Sequence, residues 1–246
     1  MRPVGWKQFF RITSGDFKQY YDKAQKWGDL YPFEVTVGGT KLYGAGLAGL
    51  PAEGQAVGGF SPKIIHVPGA RTRITVKFIF HVDANTPYGC AARLYVVFYT
   101  NGETAKDDYG NDAFGFEISL PYSPTTNVTE FHEFRVEQSG NNIAWYVDGN
   151  KLDEAKLNGT LQSFSFYIML IHYKVASEAG QSTQTPVPGD AYGIVIYEIT
   201  AEYYDWLEDV FNTITQVMFV AMFIMVGVTL FTTLFRAFRV ERRRAE

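Results

Sequence analysis

The sequence predicts an all-β antiparallel sandwich carried on one C-terminal transmembrane helix. Three observations predict it. Short segments of period-two hydrophobicity recur between Gly, Asn and Asp turns. Aromatics are abundant, with 20 Phe and 16 Tyr, beside 23 Gly, a mix that favours strands and tight turns over helical bundles. Residues 210–235 contain no charged side chain over 26 positions.

The strands follow in series. Phe33 to Val37 alternates, as does Arg73 to Val82, which puts Ile74, Val76, Phe78, Phe80 and Val82 on one face. Arg93 to Thr100 and Phe114 to Leu120 follow. Phe131 to Gln138, a turn at residues 139–142, and Ile143 to Val147 form a hairpin, and Asp148-Gly149 makes the next turn. Leu161 to Tyr173 and Tyr192 to Tyr203 complete the set. Two other segments read differently. Residues 16–27 have the spacing of a short amphipathic helix capped by Ser14 or Asp16, with Phe17, Tyr20, Tyr21, Ala24 and Trp27 on one side. Residues 38–59 hold eight Gly and read as a long loop or a set of tight turns. The expected organisation is an N-terminal arm over 1–32, the sandwich over 33–204, the membrane helix over 205–235 and an Arg-rich tail over 236–246.

At 1.5 Å per residue the uncharged stretch reaches about 39 Å, more than the ~30 Å hydrocarbon core requires. Val217, Phe219, Phe223, Ile224, Val228 and Phe231 are its apolar body, and Trp206 stands where an interfacial aromatic belongs. Glu202, Asp205, Glu208 and Asp209 precede the span; Arg236, Arg239, Arg242, Arg243 and Arg244 follow it. The positive-inside rule puts that tail on the cytoplasmic side and the large domain outside. Residues 1–27 contain no apolar run of signal-peptide length. Two explanations stay open: a chain already trimmed, or insertion by the tail after synthesis, which would suit a virion protein assembled around a membrane.

Composition excludes several functions. Net charge is −4. The tail's five Arg and two Glu sum to +3, which leaves −7 on the rest. So acidic a domain is unsuited to wrapping nucleic acid, and only the tail could meet it. The single cysteine, Cys90, excludes an internal disulfide and a multi-Cys zinc site. The histidines show no metal-ligand pair and no nucleophilic triad order, and the glycines form no phosphate-binding loop. Asp107, Asp108, Asn111 and Asp112 cluster hard oxygen ligands, which could hold Ca²⁺ or form a solvated acidic turn; no other cofactor is implied. Asn127 and Asn158 head N-glycosylation triplets. Tyr95, Tyr99, Tyr146 and Tyr197 fall at outward positions on strands, where they could stack sugars or bury a subunit contact.

The segment Phe131 to Leu152, FHEFRVEQSGNNIAWYVDGNKL, resembles the concanavalin-like jelly rolls of the laminin-G and laminarinase-like families, with FGFEIS (Phe114 to Ser119) as the preceding strand and Ile194 to Tyr203 as the last. The resemblance implies a jelly roll. It does not carry over hydrolysis. Those hydrolases place E-x-D-x-x-E on the strand matching FGFEIS, whereas this chain has Glu117 alone, with Ser119 at the intermediate Asp position. A retaining glycosidase needs two carboxyl groups about 5 Å apart. The expected role is therefore non-enzymatic. It is a membrane-anchored structural component that assembles with copies of itself or other surface subunits, in a virion or a prokaryotic envelope. A glycan-binding receptor or adhesin, and an accessory subunit of a membrane complex, are the alternatives.

Overall fold

The computed structural model describes residues 5–18, 24–28, 30–47, 55–62, 71–82, 90–100, 103–119, 128–159, 161, 164–174 and 193–245. In chain order its elements are β1 (Trp6–Ile12), α1 (Ser14–Lys18), β2 (Ala24–Gly28), β3 (Leu30–Val37), β4 (Thr40–Leu47), β5 (Gln55–Pro62), β6 (Arg71–Val82) and β7 (Cys90–Thr100). There follow β8 (Glu103–Thr104), β9 (Ala113–Ser119), β10 (Val128–Ser139), β11 (Asn142–Val147), β12 (Asn150–Lys156), β13 (Ser165–Lys174), β14 (Gly193–Tyr204) and α2 (Trp206–Ala245). The chain divides into two compact units, Lys7–Tyr204 and Asp205–Glu246 with Met1–Trp6.

The larger unit is an antiparallel two-sheet sandwich. Among the described residues, one sheet has eight strands in the order β12-β11-β10-β6-β14-β4-β3, with β1 also on β14. The other has six, β2-β5-β13-β7-β8, with β9 also on β7. Alternation builds the core. Ile74, Val76, Phe78 and Phe80 of β6 turn inward, as do Phe134 and Val136 of β10. Leu94, Val96 and Phe98 of β7 and Phe166, Ile168 and Leu170 of β13 meet them from the other sheet. Aromatic pairs interlock across this layer: Phe116–Phe134 at 5.1 Å and Phe114–Trp145 at 5.8 Å between centroids.

The expected hairpin is present. Ser139 pairs with Asn142 across the two-residue Gly140-Asn141 turn. The next turn joins Val147 to Asn150, with Asp148 at φ 50° and Gly149 at φ 80°, the left-handed pair that matches strand twist. In β14 a bulge at Tyr197 separates Ile196 from Glu198, so Ile196 and Ile199 both reach the core although three residues apart.

Three sequence expectations are corrected. The helix expected over 16–27 is one turn, Ser14–Lys18, and Ala24–Gly28 is a strand paired with β5. Its cap is Thr13, whose backbone N–H and hydroxyl both donate to Asp16 Oδ2 at 2.8 and 2.9 Å; Ser14 instead accepts the N–H of Tyr43. Cross-strand pairing of Trp27 outweighs local helix spacing. The expected arm over 1–32 likewise contributes β1, β2 and the start of β3 to the sheets. The Gly-rich stretch over 38–59 holds strands β4 and β5, while its residues 48–54 lie outside the described set. Its glycines serve close packing: a Cβ on Gly44 would stand 2.5 Å from the Ile196 carbonyl oxygen.

The second unit is dominated by α2, 40 residues long. Within it Thr213–Arg236 is long and apolar enough to cross a membrane, with 24 residues, mean hydropathy 2.3 and none of its apolar window buried. The helix does not stop at the expected boundary near 235. Its backbone stays helical to Ala245, through the Arg-rich segment.

Candidate functional site

The six-stranded sheet turns an aromatic face outward. Register places Trp27 of β2, Gly59 of β5, Met169 of β13, Tyr95 of β7 and Gly115 of β9 in a single row across five strands. The two glycines make that row flat. A Cβ on Gly59 would stand 2.6 Å from the Trp27 ring, and one on Gly115 2.6 Å from the Tyr95 ring, so each ring lies down over bare backbone. The next row sets Tyr167 opposite Val97, and the one after sets Tyr99 opposite Ser165. Tyr167 touches both neighbours. Its ring meets that of Trp27 edge-on, at 6.0 Å between centroids and 81° between planes, and that of Tyr99 tilted, at 6.0 Å and 49°. Val97, between Tyr95 and Tyr99 on an outward position, is only 1% exposed. Burial raises the pKa of Tyr95 and of Tyr167, so both hydroxyls stay protonated and can donate at neutral pH. On the opposite side of the row Arg93 Nε meets Glu117 Oε2 at 2.6 Å.

Tyr99 also opens a cleft of about 800 Å³ at the β7–β8 end of this face. Ala105, Leu157 and Leu161 are its buried apolar lining, and Glu103, Lys106 and Asn158 contribute exposed polar groups. The loop beside it is held by Asp107, which is 4% exposed. Asp107 Oδ1 accepts the N–H groups of Tyr109 and Asn111 at 2.9 and 2.7 Å, and Oδ2 accepts Asn111 Nδ2 at 2.9 Å. Burial alone would raise the Asp107 pKa. Bonds from the Asn111 side chain and from the N–H groups of Asn111, Tyr109 and Gly110 outweigh it and hold the carboxyl below its ordinary value.

Of the residues read as a Ca²⁺ cluster or a solvated turn, Asp108 and Asn111 are exposed, as a solvated turn requires, and Asp107 alone turns inward. Asp107 is buried and saturated by the loop's own donors, and Asp112 accepts the Thr104 hydroxyl at 2.9 Å. Among the described residues no three His, Cys, Asp or Glu side chains converge as a metal site. Asn158 is exposed, but its Nδ2, the atom a glycan would need, donates to the Asp107 carbonyl at 2.7 Å. Asn127 lies outside the described residues.

The four outward tyrosines divide between the sheets. Tyr95 and Tyr99 belong to the aromatic face. Tyr146 lies under the Arg135 guanidinium at 4.7 Å, and Tyr197 meets Phe131 edge-on at 6.0 Å, both on the eight-stranded sheet. That sheet is laced with ion pairs: Arg73–Glu202 at 2.6 Å, with Lys77 and Arg11 both on Glu198. Sequence reading missed Trp27, Tyr167 and Met169 as site residues. The signal for Trp27 and Met169 was their shared partner Gly59, visible only once register is known.

In α2, Val217, Phe219, Phe223, Ile224, Val228 and Phe231 are all exposed, between 54% and 75%. Arg236 is exposed too; the side chains of Trp206, Arg239, Arg242, Arg243 and Arg244 lie outside the described set.

No family model matches the chain, and no curated protein matches it. Among solved structures it is similar to a GlcNAcα1-4Gal-releasing endo-β-galactosidase from Clostridium perfringens, at 12% identity and a TM-score of 0.47. That match covers 82% of this chain and 64% of the galactosidase, so the chain spans under two thirds of its length. It is similar also to an endo-1,3-β-glucanase from Streptomyces sioyaensis, at 13% identity and a TM-score of 0.43, covering 82% and 98% of the two chains. A Bacillus subtilis protein of unknown function with a galectin-like fold matches at 10% identity and a TM-score of 0.44, covering 83% and 98%. These neighbours are jelly-roll sandwiches of the concanavalin and galectin-like kind, the fold that Phe131 to Leu152 resembles.

Proposed function

We propose that this chain is a non-catalytic glycan-binding module displayed at a membrane surface. The carrying observation is the row Trp27–Gly59–Met169–Tyr95–Gly115, in which glycines let the Trp27 and Tyr95 rings lie against the sheet, with Tyr167 edge-on beside Trp27 and Tyr99 beyond it. Flat rings suit the C–H faces of pyranoses, and the polar groups of the adjoining cleft suit their hydroxyls. The sequence alone favoured an assembly role, with glycan binding as its alternative. The aromatic face moves the weight to glycan binding, because it supplies a built surface for a sugar.

The absence of catalysis rests on chemistry. Glu117 on β9 is paired to Arg93, and Ser119 stands where a hydrolase of this resemblance carries its middle carboxylate. Display rests on the Thr213–Arg236 span, with acidic residues before it and arginines after it, so the sandwich faces outward and the tail inward. In a virion or a cell envelope, such a module would attach the surface to sugars.

The test is a glycan array probed with the full chain in lipid nanodiscs. Binding to neutral, β-linked hexose glycans is expected, with at least a tenfold loss in the Trp27→Ala, Tyr167→Ala double variant at an unchanged fold by circular dichroism. Folded protein that binds no glycan on the array would end the reading.

A further inference from the structure

We infer that one face of α2 holds an anionic phospholipid in the leaflet around the C-terminal half of the span, its acyl chain along an apolar stripe and its phosphate at Arg239 and Arg242. This rests on the membrane display proposed above and is independent of the glycan.

The stripe exists because the helix runs on. Its backbone stays helical to Ala245, so positions on both sides of Arg236 keep one helical phase. At about 100° per residue, Ile224, Val228, Phe231, Phe235, Arg239 and Arg242 fall within an arc of about 80°. The four apolar members are exposed. The Phe231 and Phe235 rings are in tilted contact, 5.2 Å between centroids and 44° between planes. Thr229, Thr232 and Thr233 donate their hydroxyls to carbonyls of the helix itself, at 2.8, 2.9 and 2.7 Å, so they need no partner from a lipid.

The heights match those of a lipid. Ile224 to Phe235 rises about 16.5 Å at 1.5 Å per residue, and one leaflet of the ~30 Å hydrocarbon core is about 15 Å deep. Arg239 is then placed about 6 Å beyond Phe235 and Arg242 about 10 Å beyond it. The headgroup layer is about 5–8 Å thick on each side, so Arg239 stands at the depth of the phosphates and Arg242 at their outer edge.

Charge supplies the selectivity. Arg236 and Arg243 flank the arc on one side, within about 60° of Arg239, whereas Glu241 falls about 120° from the centre of the arc. Guanidinium groups bind phosphate in forked pairs and stay charged at any working pH. A nucleic acid offers the same phosphate chemistry. The arginines here continue the apolar stripe without a change of face, and a lipid is the ligand that joins a phosphate to an apolar chain in that order.

The experiment is native mass spectrometry of the full chain released from nanodiscs of equimolar phosphatidylglycerol and phosphatidylcholine with identical acyl chains. Each arginine near an anionic surface is worth roughly fivefold, so phosphatidylglycerol is expected to be retained about tenfold over phosphatidylcholine. The Arg239→Gln, Arg242→Gln double variant should lose most of that preference. Arg244→Gln lies off the stripe and should change it by less than about twofold, because screening weakens a charge away from the site. Glutamine keeps helix propensity, and circular dichroism with carbonate extraction from liposomes checks that each variant folds and inserts. Equal retention of the two lipids overturns the inference, as does an Arg244→Gln loss equal to that of the double variant. Capture of a single-stranded oligonucleotide in place of the lipid, abolished in the double variant, gives the arginines to nucleic acid and overturns it too. A chain that carbonate strips from liposomes overturns the membrane reading and this inference together, and none of these results bears on glycan binding.

Discussion

Replacement of Asp107 by Ala tests whether the cleft wall is held as described. The side chain gives three hydrogen bonds a charged acceptor: two backbone N–H groups on Oδ1 and the Asn111 amide on Oδ2, at 2.7 to 2.9 Å. A bond to a charged group is worth about 1.5–3 kcal/mol, but water can replace part of it at a loop whose neighbours are exposed. The expected loss is about 2–3 kcal/mol, a fall in melting temperature of roughly 5–10 °C for a domain of this size. Asn at the same position keeps an oxygen for the two N–H groups and sets an NH₂ against the Asn111 amide, so it should lose about 1 kcal/mol. The two variants also differ from the parent in acid. A carboxyl held below its unfolded value stabilises the fold fully above about pH 4, and that stability drains away as pH falls through the folded pKa. Neither variant has this contribution to lose. Thermal melts followed by circular dichroism at neutral pH, and again from about pH 4 downward, measure both effects, and hydrogen exchange at residues 109–111 localises them. An Ala variant that melts within a degree of the parent, with those amides still protected, would refute the account.

Gly115→Ala should cost about 2 kcal/mol or more, because its Cβ overlaps the Leu94 carbonyl oxygen and crowds the Tyr95 ring. Denaturant titration reads the loss, and the same variant should weaken glycan binding by tilting Tyr95 off the sheet. Ile224→Arg puts a charge near the middle of the Thr213–Arg236 span, at about 3 kcal/mol against insertion. The expected result in an insertion assay is a large shift from the carbonate-resistant fraction to the soluble one.

The long strands were legible because each had one buried face. Ile74, Val76, Phe78 and Phe80 of β6 and Phe134 and Val136 of β10 are buried at every second position, and the turns that flank β11 carry the Gly and Asp that left-handed backbone demands. The strands that were missed lack that signature for identifiable reasons. Four of the eight residues of β4 are buried in succession, and β5 carries paired glycines, so neither alternates. The strand β12 has almost no buried side chain, because it is a sheet edge. Trp27 sat at a helical spacing from Phe17 and Tyr20, and only its partner Gly59, 32 positions away, reveals it as a strand residue. In the acidic cluster only Asp107 departs from a solvated turn. Composition shows oxygen ligands, whereas the Asp107 oxygens point back at the N–H groups of their own loop.

The two outer faces of the sandwich argue together for which one meets a ligand. On the eight-stranded sheet Arg73, Lys77 and Arg11 face Glu202 and Glu198, and Tyr146 is covered by Arg135. Such a surface is already satisfied by its own pairs and by water, and covering it would cost desolvation of several charges at once. The described part of the six-stranded face offers rings, a thioether and glycine backbone, with Arg93–Glu117 as its charged pair. Covering that face removes apolar area from water and desolvates few charges. Val97, opposite Tyr167 and between Tyr95 and Tyr99 along its strand, is only 1% exposed, so the face is closely packed at its centre. The asymmetry follows from where the glycines fall. Gly59 lies two strands from Tyr95 on one side and Gly115 directly beside it on the other, and they open the face that the rings then fill.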